Sequence, residues 1–220
     1  MIHKLIIAFL ILLLITFSQK DIPLVIQQVY SSNEHLLGER SMSLEDRYAN
    51  QSVNDVFKDN ILLTFAYLSG KVTNPSHINW TDVRTASHYE VVLEPGEVFA
   101  FHDDVLPVYT GKTVKSTHAH FNSQDGFKSD GYLVGDGVCH FASLINWAAR
   151  DAGLTVVAPT NHNFANIPEV PKQYGTAIYY APGQSSVNQM QNLYVENTSD
   201  KTVHMVFRYA ENELTVAIYN

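Results

Sequence analysis

The sequence predicts an α+β fold: a mainly antiparallel sheet packed against a helix that carries Cys139 at its N-terminus, with an amphipathic helix before it. Two observations on patterning and one on composition lead there. Two segments repeat apolar residues at three- and four-residue steps, and short apolar runs bounded by turn formers fill the C-terminal half. Tyr (12) and Phe (11) are plentiful among 220 residues, which favours a sheet-containing core.

The first helix is read over Val53 to Leu68, where Val53, Val56, Phe57, Ile61, Phe65 and Leu68 share a face. Ser52 offers an N-cap and Gly70 a stop. The second runs from Cys139 to Ala152, aligning Ala142, Ile145, Ala149 and Ala152, with Gly153 as a left-handed stop. Strands are expected at Tyr89–Leu93, Val98–Phe101, Val105–Tyr109, Leu154–Val157, Thr176–Tyr180, Leu193–Glu196, Val203–Tyr209 and Leu214–Tyr219. Glu94-Pro95-Gly96-Glu97 separates the first two, since Pro fixes φ and Gly accepts positive φ. Asn197 to Lys201 reads as a hairpin turn.

Ahead of this domain, residues 53–220, the chain divides in two. Residues 1–20 hold an unbroken apolar run from Leu5 to Phe17 behind His3 and Lys4. Its length is that of a signal-peptide core, short of the roughly 20 residues of a relaxed span, so it reads as a signal peptide or an N-terminal membrane anchor. Either places the rest of the chain outside the cytoplasm, with Lys4 retained inside. Residues 21–52, rich in Ser, Asn, Gln and Glu without a sustained period, read as a stalk or lead-in.

Hydrophobic residues make up 45% of the chain and charged residues 16%, the profile of a folded domain rather than a disordered one. The net charge of −8 argues against nucleic-acid binding through a basic surface. With a single cysteine, no intramolecular disulfide forms, and a lone thiol is either core filler or a reactive group.

The residues around Cys139 favour the reactive alternative. Gly135-Asp136-Gly137-Val138-Cys139-His140 precedes the second helix, and its glycines permit a sharp turn and close approach of a ligand. A thiol in a first helical turn meets unpaired backbone N–H groups, which favour thiolate and stabilise an oxyanion. A base is also needed. His140 is adjacent, but successive helical side chains diverge by roughly 100°. His162, in a loop after the following strand, is preferred, with Asn161 or Asn163 to orient it. Gly137, Val138, His140 and Ser143 are the candidate substrate-binding residues. A second cluster, His118-Ala119-His120 with His102-Asp103-Asp104, has the alternation of a shared metal site, but no third ligand is fixed by spacing. It is read as a solvated edge, with no metal and no cofactor expected.

From about Asp59 onward the chain resembles the VanW-like proteins, named after an accessory protein of vancomycin-resistance clusters. The resemblance lies in Asn60-Ile61-Leu62 through Gly70, Pro95-Gly96-Glu97-Val98-Phe99-Ala100-Phe101, and Gly137-Val138-Cys139 with Leu144, Asn146, Ala148, Ala152, Gly153 and Leu154 downstream. It continues through His162 to Asn192-Leu193-Tyr194-Val195-Glu196-Asn197-Thr198. The resemblance implies a cell-envelope protein and a cysteine-dependent L,D-transpeptidase acting on peptidoglycan stem peptides. Cys139 would form a thioacyl intermediate that an amine or water resolves. The chain departs from the family pattern at Asp136, where a glycine is usual, and at His140, where glutamine is usual. It departs again at Ala142-Ser143 in place of a Ser/Thr pair, and at Gln184-Ser185-Ser186-Val187, which lacks the usual acid.

Three other readings compete. Gly137-Val138-Cys139 with Ala149-Arg150 and Gly153-Leu154 also resembles transglutaminase-like cysteine enzymes, although His162 is followed by Asn163-Phe164 and no clear Asp. A cell-envelope binding or assembly module would use Cys139 structurally. A metal-dependent hydrolase built on His118 and His120 ranks last.

Overall fold

The computed structural model describes residues 34–131 and 133–220; the apolar segment over residues 1–20 lies outside them, as do residues 21–33 of the lead-in. Among the described residues no helix is long and apolar enough to cross a membrane. The fold is α+β, with two antiparallel-rich sheets.

In the first sheet, β1 (Leu36–Ser43), β8 (Glu213–Tyr219), β7 (Val203–Ala210) and β2 (Ser87–Leu93) lie side by side in that order, all antiparallel. The β7–β8 hairpin pairs Ala210 with Glu213 across a two-residue turn. Its central residues, Glu211 (φ 51°) and Asn212 (φ 62°), both take the positive φ that matches the twist of the flanking strands. The second sheet has the order β4 (Val114–Ser116), β3 (Val98–Ala100), β6 (Tyr194–Glu196) and β5 (Thr155–Val157), with only the β3–β4 pair parallel.

Two long helices complete the frame. α1 (Gln51–Leu68) buries every residue from Asp59 to Leu68. Its N-cap is Asn50, whose side chain accepts from the Ser52 N–H at 3.0 Å, so the cap falls two residues earlier than the sequence pattern places it. The short α2 (Trp80–Val83) follows, then α3 (Val138–Asp151) and α4 (Ser185–Met190). Phe141 of α3 joins the layers: its ring meets Phe101, just beyond β3, at 5.8 Å and Phe207 of β7 at 5.8 Å, both edge-on. The approach of α3 to β1 depends on Gly38, where a Cβ would lie 3.0 Å from both the Ala148 carbonyl and the Ala152 nitrogen.

Four expectations are corrected. The part of the lead-in over residues 36–43 is not a stalk but β1, an edge strand whose half-covered faces mask the two-residue period. Residues 107–109 form a 3-10 turn rather than a strand, with Pro107 opening it. Asn197 to Lys201 closes no hairpin, because β6 and β7 belong to different sheets. The stretch is one of two adjacent crossings: Asn197 exchanges backbone hydrogen bonds with the Glu94–Glu97 turn, which carries the chain the other way. Its buried side chain also donates to Leu93 O and Lys201 O, both at 2.8 Å. Finally, residues 176–180 run extended without joining a sheet. Ala177 and Tyr179 donate to the Thr160 and Gln191 carbonyls on one edge, while Thr176 and Ile178 donate to side chains of α3 on the other.

Candidate functional site

Cys139 is the second residue of α3. The helix begins at Gly137, whose φ of +100° lies outside the range of ordinary residues. A Cβ there would also sit 2.8 Å from the Phe57 carbonyl oxygen, so glycine is required twice over. The preceding loop is held by Asn60 of α1, fully buried, whose side chain donates to Lys128 O at 3.0 Å and Asp136 O at 2.8 Å and accepts from the Lys128 N–H. No residue pattern in the sequence singled out Asn60 for this role.

The thiol is half-buried and turned toward the extended segment: Ile178 N–H donates to Sγ at 3.3 Å, and Sγ lies 3.7 Å from Ile178 O. It heads a polar stripe along α3. Ser143 Oγ donates to Cys139 O at 2.6 Å and accepts from Thr176 N–H at 2.9 Å; Asn146 donates to Tyr174 O and Thr176 Oγ1; Arg150 donates to Asn146. The i, i+4, i+7, i+11 spacing puts these four side chains on one face. Burial pushes the thiol up to about 11, and the nearby Asp136 carboxylate adds to this, against partial relief from the Ile178 N–H. The resting helix start therefore does not favour thiolate, contrary to the expectation from the macrodipole alone: loss of hydration outweighs it. Asp136 is itself raised to about 6 by burial and by Asp130.

His140, also buried, points away from Sγ into a second cluster. Arg47 Nη2 lies 3.2 Å from its Nδ1 and the Tyr48 hydroxyl 3.4 Å from its Nε2, with the Phe57 ring at 5.0 Å. His162 meets His140 edge-on at 6.3 Å and Phe164 at 4.0 Å. Its Nδ1 is buried without a hydrogen-bond partner, and burial holds its pKa below the usual imidazole range. No hydrogen bond among the described residues joins His162 to Cys139. Asn161 does not orient the ring, because its side chain donates to Lys172 O. Val138 and Ser143 are both buried, the first in the apolar core and the second in the polar stripe.

The remaining histidines form a separate group. His102 is buried and held by Asn192 and the Gln191 carbonyl. His118 and His120 both face Asp103, and His120 Nδ1 also meets Asp125 at 3.1 Å. Those carboxylates hold His120 above its ordinary value, and the hydrogen bonds from His120 and Ser116 in turn hold Asp103 down at about 2. Among the described residues no group of three or more His, Cys, Asp or Glu side chains has the arrangement to hold a metal.

The glycine-built helix start, the thiol and the closing strands all fall within residues 81–219, which match the family described as VanW like protein. The chain belongs to the VanW-like family. The match covers more than half of the chain and leaves Arg47, Tyr48 and Asn60 outside it. No curated protein and no solved structure matches the chain.

Proposed function

We propose that this VanW-like protein is an extracytoplasmic, cell-envelope acyl transferase in which Cys139 is the nucleophile and His162 the general base, acting on peptidoglycan stem peptides. The observation that carries the reading is the presence, within one family-matched unit, of a thiol at a glycine-built helix start and a neutral imidazole whose Nδ1 has no partner. The apolar run from Leu5 to Phe17 supports the location. In the reaction Sγ gives its proton to His162 and bonds to the stem-peptide carbonyl carbon. The amide C–N bond then breaks, and His162 returns the proton to the departing amine. The thioester is resolved by an acceptor amine, which forms a new amide and restores the thiol, or by water. Substrate is required to raise the reactivity of the resting thiol, by displacing Sγ from Ile178 and bringing His162 within reach.

The test is incubation of the full chain with stem peptides and measurement of intact mass. The expected result is a thioacyl adduct on the wild type, none on Cys139→Ala and a slower one on His162→Ala. Absence of any adduct with stem or amide substrates refutes the reading. A second reading is favoured by one specific observation, the polar stripe in which Cys139 Sγ serves Ile178 as Ser143 serves Thr176. There the protein is a non-catalytic envelope module, Cys139→Ser retains full function, and the thiol stays inert to every acyl donor.

A further inference from the structure

Residues 176–180 lie against the Cys139 thiol as a strap that belongs to neither sheet. Two of its N–H groups reach backbone carbonyls, Ala177 to Thr160 O at 2.9 Å and Tyr179 to Gln191 O at 3.1 Å. Two others reach side chains of α3, and the one at the thiol, Ile178 N–H to Sγ at 3.3 Å, has sulfur as its acceptor. Sulfur is a weak acceptor, so this bond depends on what holds the strap beside it. The last residue of the strap, Tyr180, packs its ring on His120 with 4.4 Å between centroids.

His120 is gripped from two sides. Asp125 Oδ2 accepts from its backbone N–H and meets its Nδ1, both at 3.1 Å, and Asp103 Oδ2 stands 3.7 Å from its Nε2. His118 (φ 57°) and Phe121 (φ 55°) take left-handed backbone around it, so the chain holds this turn against strain. The other ionisable groups facing the ring are His118, on the second oxygen of Asp103 at 3.0 Å, the buried His102, and Tyr180, on which Asp104 also acts. Burial keeps His102 below the usual imidazole range. Burial and the three carboxylates keep the Tyr180 phenol above its ordinary value, so neither group changes charge near neutral pH. A protonated His120 donates toward both carboxylates. A neutral one has a single N–H: with Nδ1 kept on Asp125, the Nε2 lone pair faces the Asp103 carboxylate, and two acceptors repel. The ring then turns away, and Tyr180 loses the surface it packs on.

We propose that His120 is a proton-operated clasp on the strap: charged, it holds Tyr180 and keeps Ile178 seated on Cys139 Sγ; neutral, it lets the strap lift and uncovers the thiol. Asp103 and Asp125 raise its pKa, so the hold of the clasp is fully present below the unfolded imidazole value of about 6.5 and is lost as pH rises through the higher folded value. The strap therefore opens on the alkaline side, ahead of the ionisation of the thiol at about 11. As a control on acyl transfer the clasp rests on the proposed reaction; as a cover on the thiol it does not.

The experiment is hydrogen exchange on the full chain, reading the protection of the Ile178 amide at about pH 6 and about pH 9, each corrected for the intrinsic exchange rate. Protection in the wild type is expected to fall about tenfold or more, the range of one charge-assisted hydrogen bond, while the amides of β7 keep theirs. His120→Gln keeps a side-chain N–H without the charge and should show the low value at both pH values. Tyr180→Leu, which takes the ring off the clasp, should do the same. His118→Gln, at an exposed position on the same carboxylate, should retain the wild-type fall. Equal Ile178 protection at the two pH values in the wild type overturns the proposal without any variant. So does a fall that survives in His120→Gln, disappears in His118→Gln or is shared by β7. No acyl donor enters the measurement, so the two readings fail separately. A chain that forms no adduct with stem peptides yet shows the fall removes the transferase alone, and one that forms adducts while Ile178 protection stays flat removes the clasp alone.

Discussion

Replacing Gly137 by alanine tests whether the placement of Cys139 depends on the close approach of α3 to α1. Two costs add. The residue holds φ +100°, and putting an L side chain in left-handed backbone costs about 1–2 kcal/mol. The new Cβ would also stand 2.8 Å from Phe57 O and 3.0 Å from Phe57 Cα, backbone atoms of α1 that cannot swing aside as the end of a side chain could. Relieving that overlap by moving a helix costs about 1–3 kcal/mol more. The sum is about 3 kcal/mol, which lowers the melting temperature of a domain this size by roughly 6–12 °C. Gly96→Ala is the control: its φ is +84°, but nothing lies within 4 Å of the added carbon, so only the backbone cost of about 1–2 kcal/mol applies. Thermal unfolding followed by circular dichroism reads both. Equal losses in the two variants would refute the close-approach argument and leave Gly137 as an ordinary turn glycine.

Further outcomes follow from the same contacts. Alkylation of Cys139 across pH should report a thiol pKa near 11, some 100-fold less thiolate at neutral pH than an unperturbed thiol, with Asp136→Asn lowering that value. A midpoint below 8 would contradict the burial argument. Asn197→Ala removes the side-chain donor to the buried Leu93 carbonyl and to the more accessible Lys201 carbonyl and should cost about 1–3 kcal/mol in urea denaturation; a loss under 1 kcal/mol would mean water replaces it. Asp59, buried beneath Arg84 and Lys128, has its carboxyl held below the ordinary range, chiefly by those partners against its burial. The stability it gives is present above the unfolded pKa of about 4 and declines as pH falls toward and through the lower folded value. The wild type should therefore lose more stability than Asp59→Asn between pH 5 and pH 2.5, and parallel losses would show that the pair contributes nothing.

Much of the fold could be read from local pattern. α1 and α3 appear because one face of each is apolar at helical spacing, and β2, β7 and β8 because their runs are long and bounded by turn formers. What failed was pairing. β1 hid within a polar lead-in because an edge strand needs no clean alternation. Residues 176–180 looked like a strand, yet half of their partners are side chains of α3. The Asn197–Lys201 stretch carried turn residues, but whether a turn closes a hairpin or crosses between sheets depends on a partner strand far away in sequence.

The sequence by itself determined that Cys139 opens a helix behind two glycines, because caps and φ preferences are properties of a few adjacent residues. It also determined the family, through the order of short motifs from Pro95 to Thr198. Only the tertiary structure decided the state and company of the thiol. Burial is a sum over atoms from distant segments, so the rise to about 11 could not be read from neighbours along the chain. The same holds for Arg47, ninety-two residues before Cys139 and set among lead-in residues. Folding closes it against His140 and Glu169, where solvent no longer screens its charge.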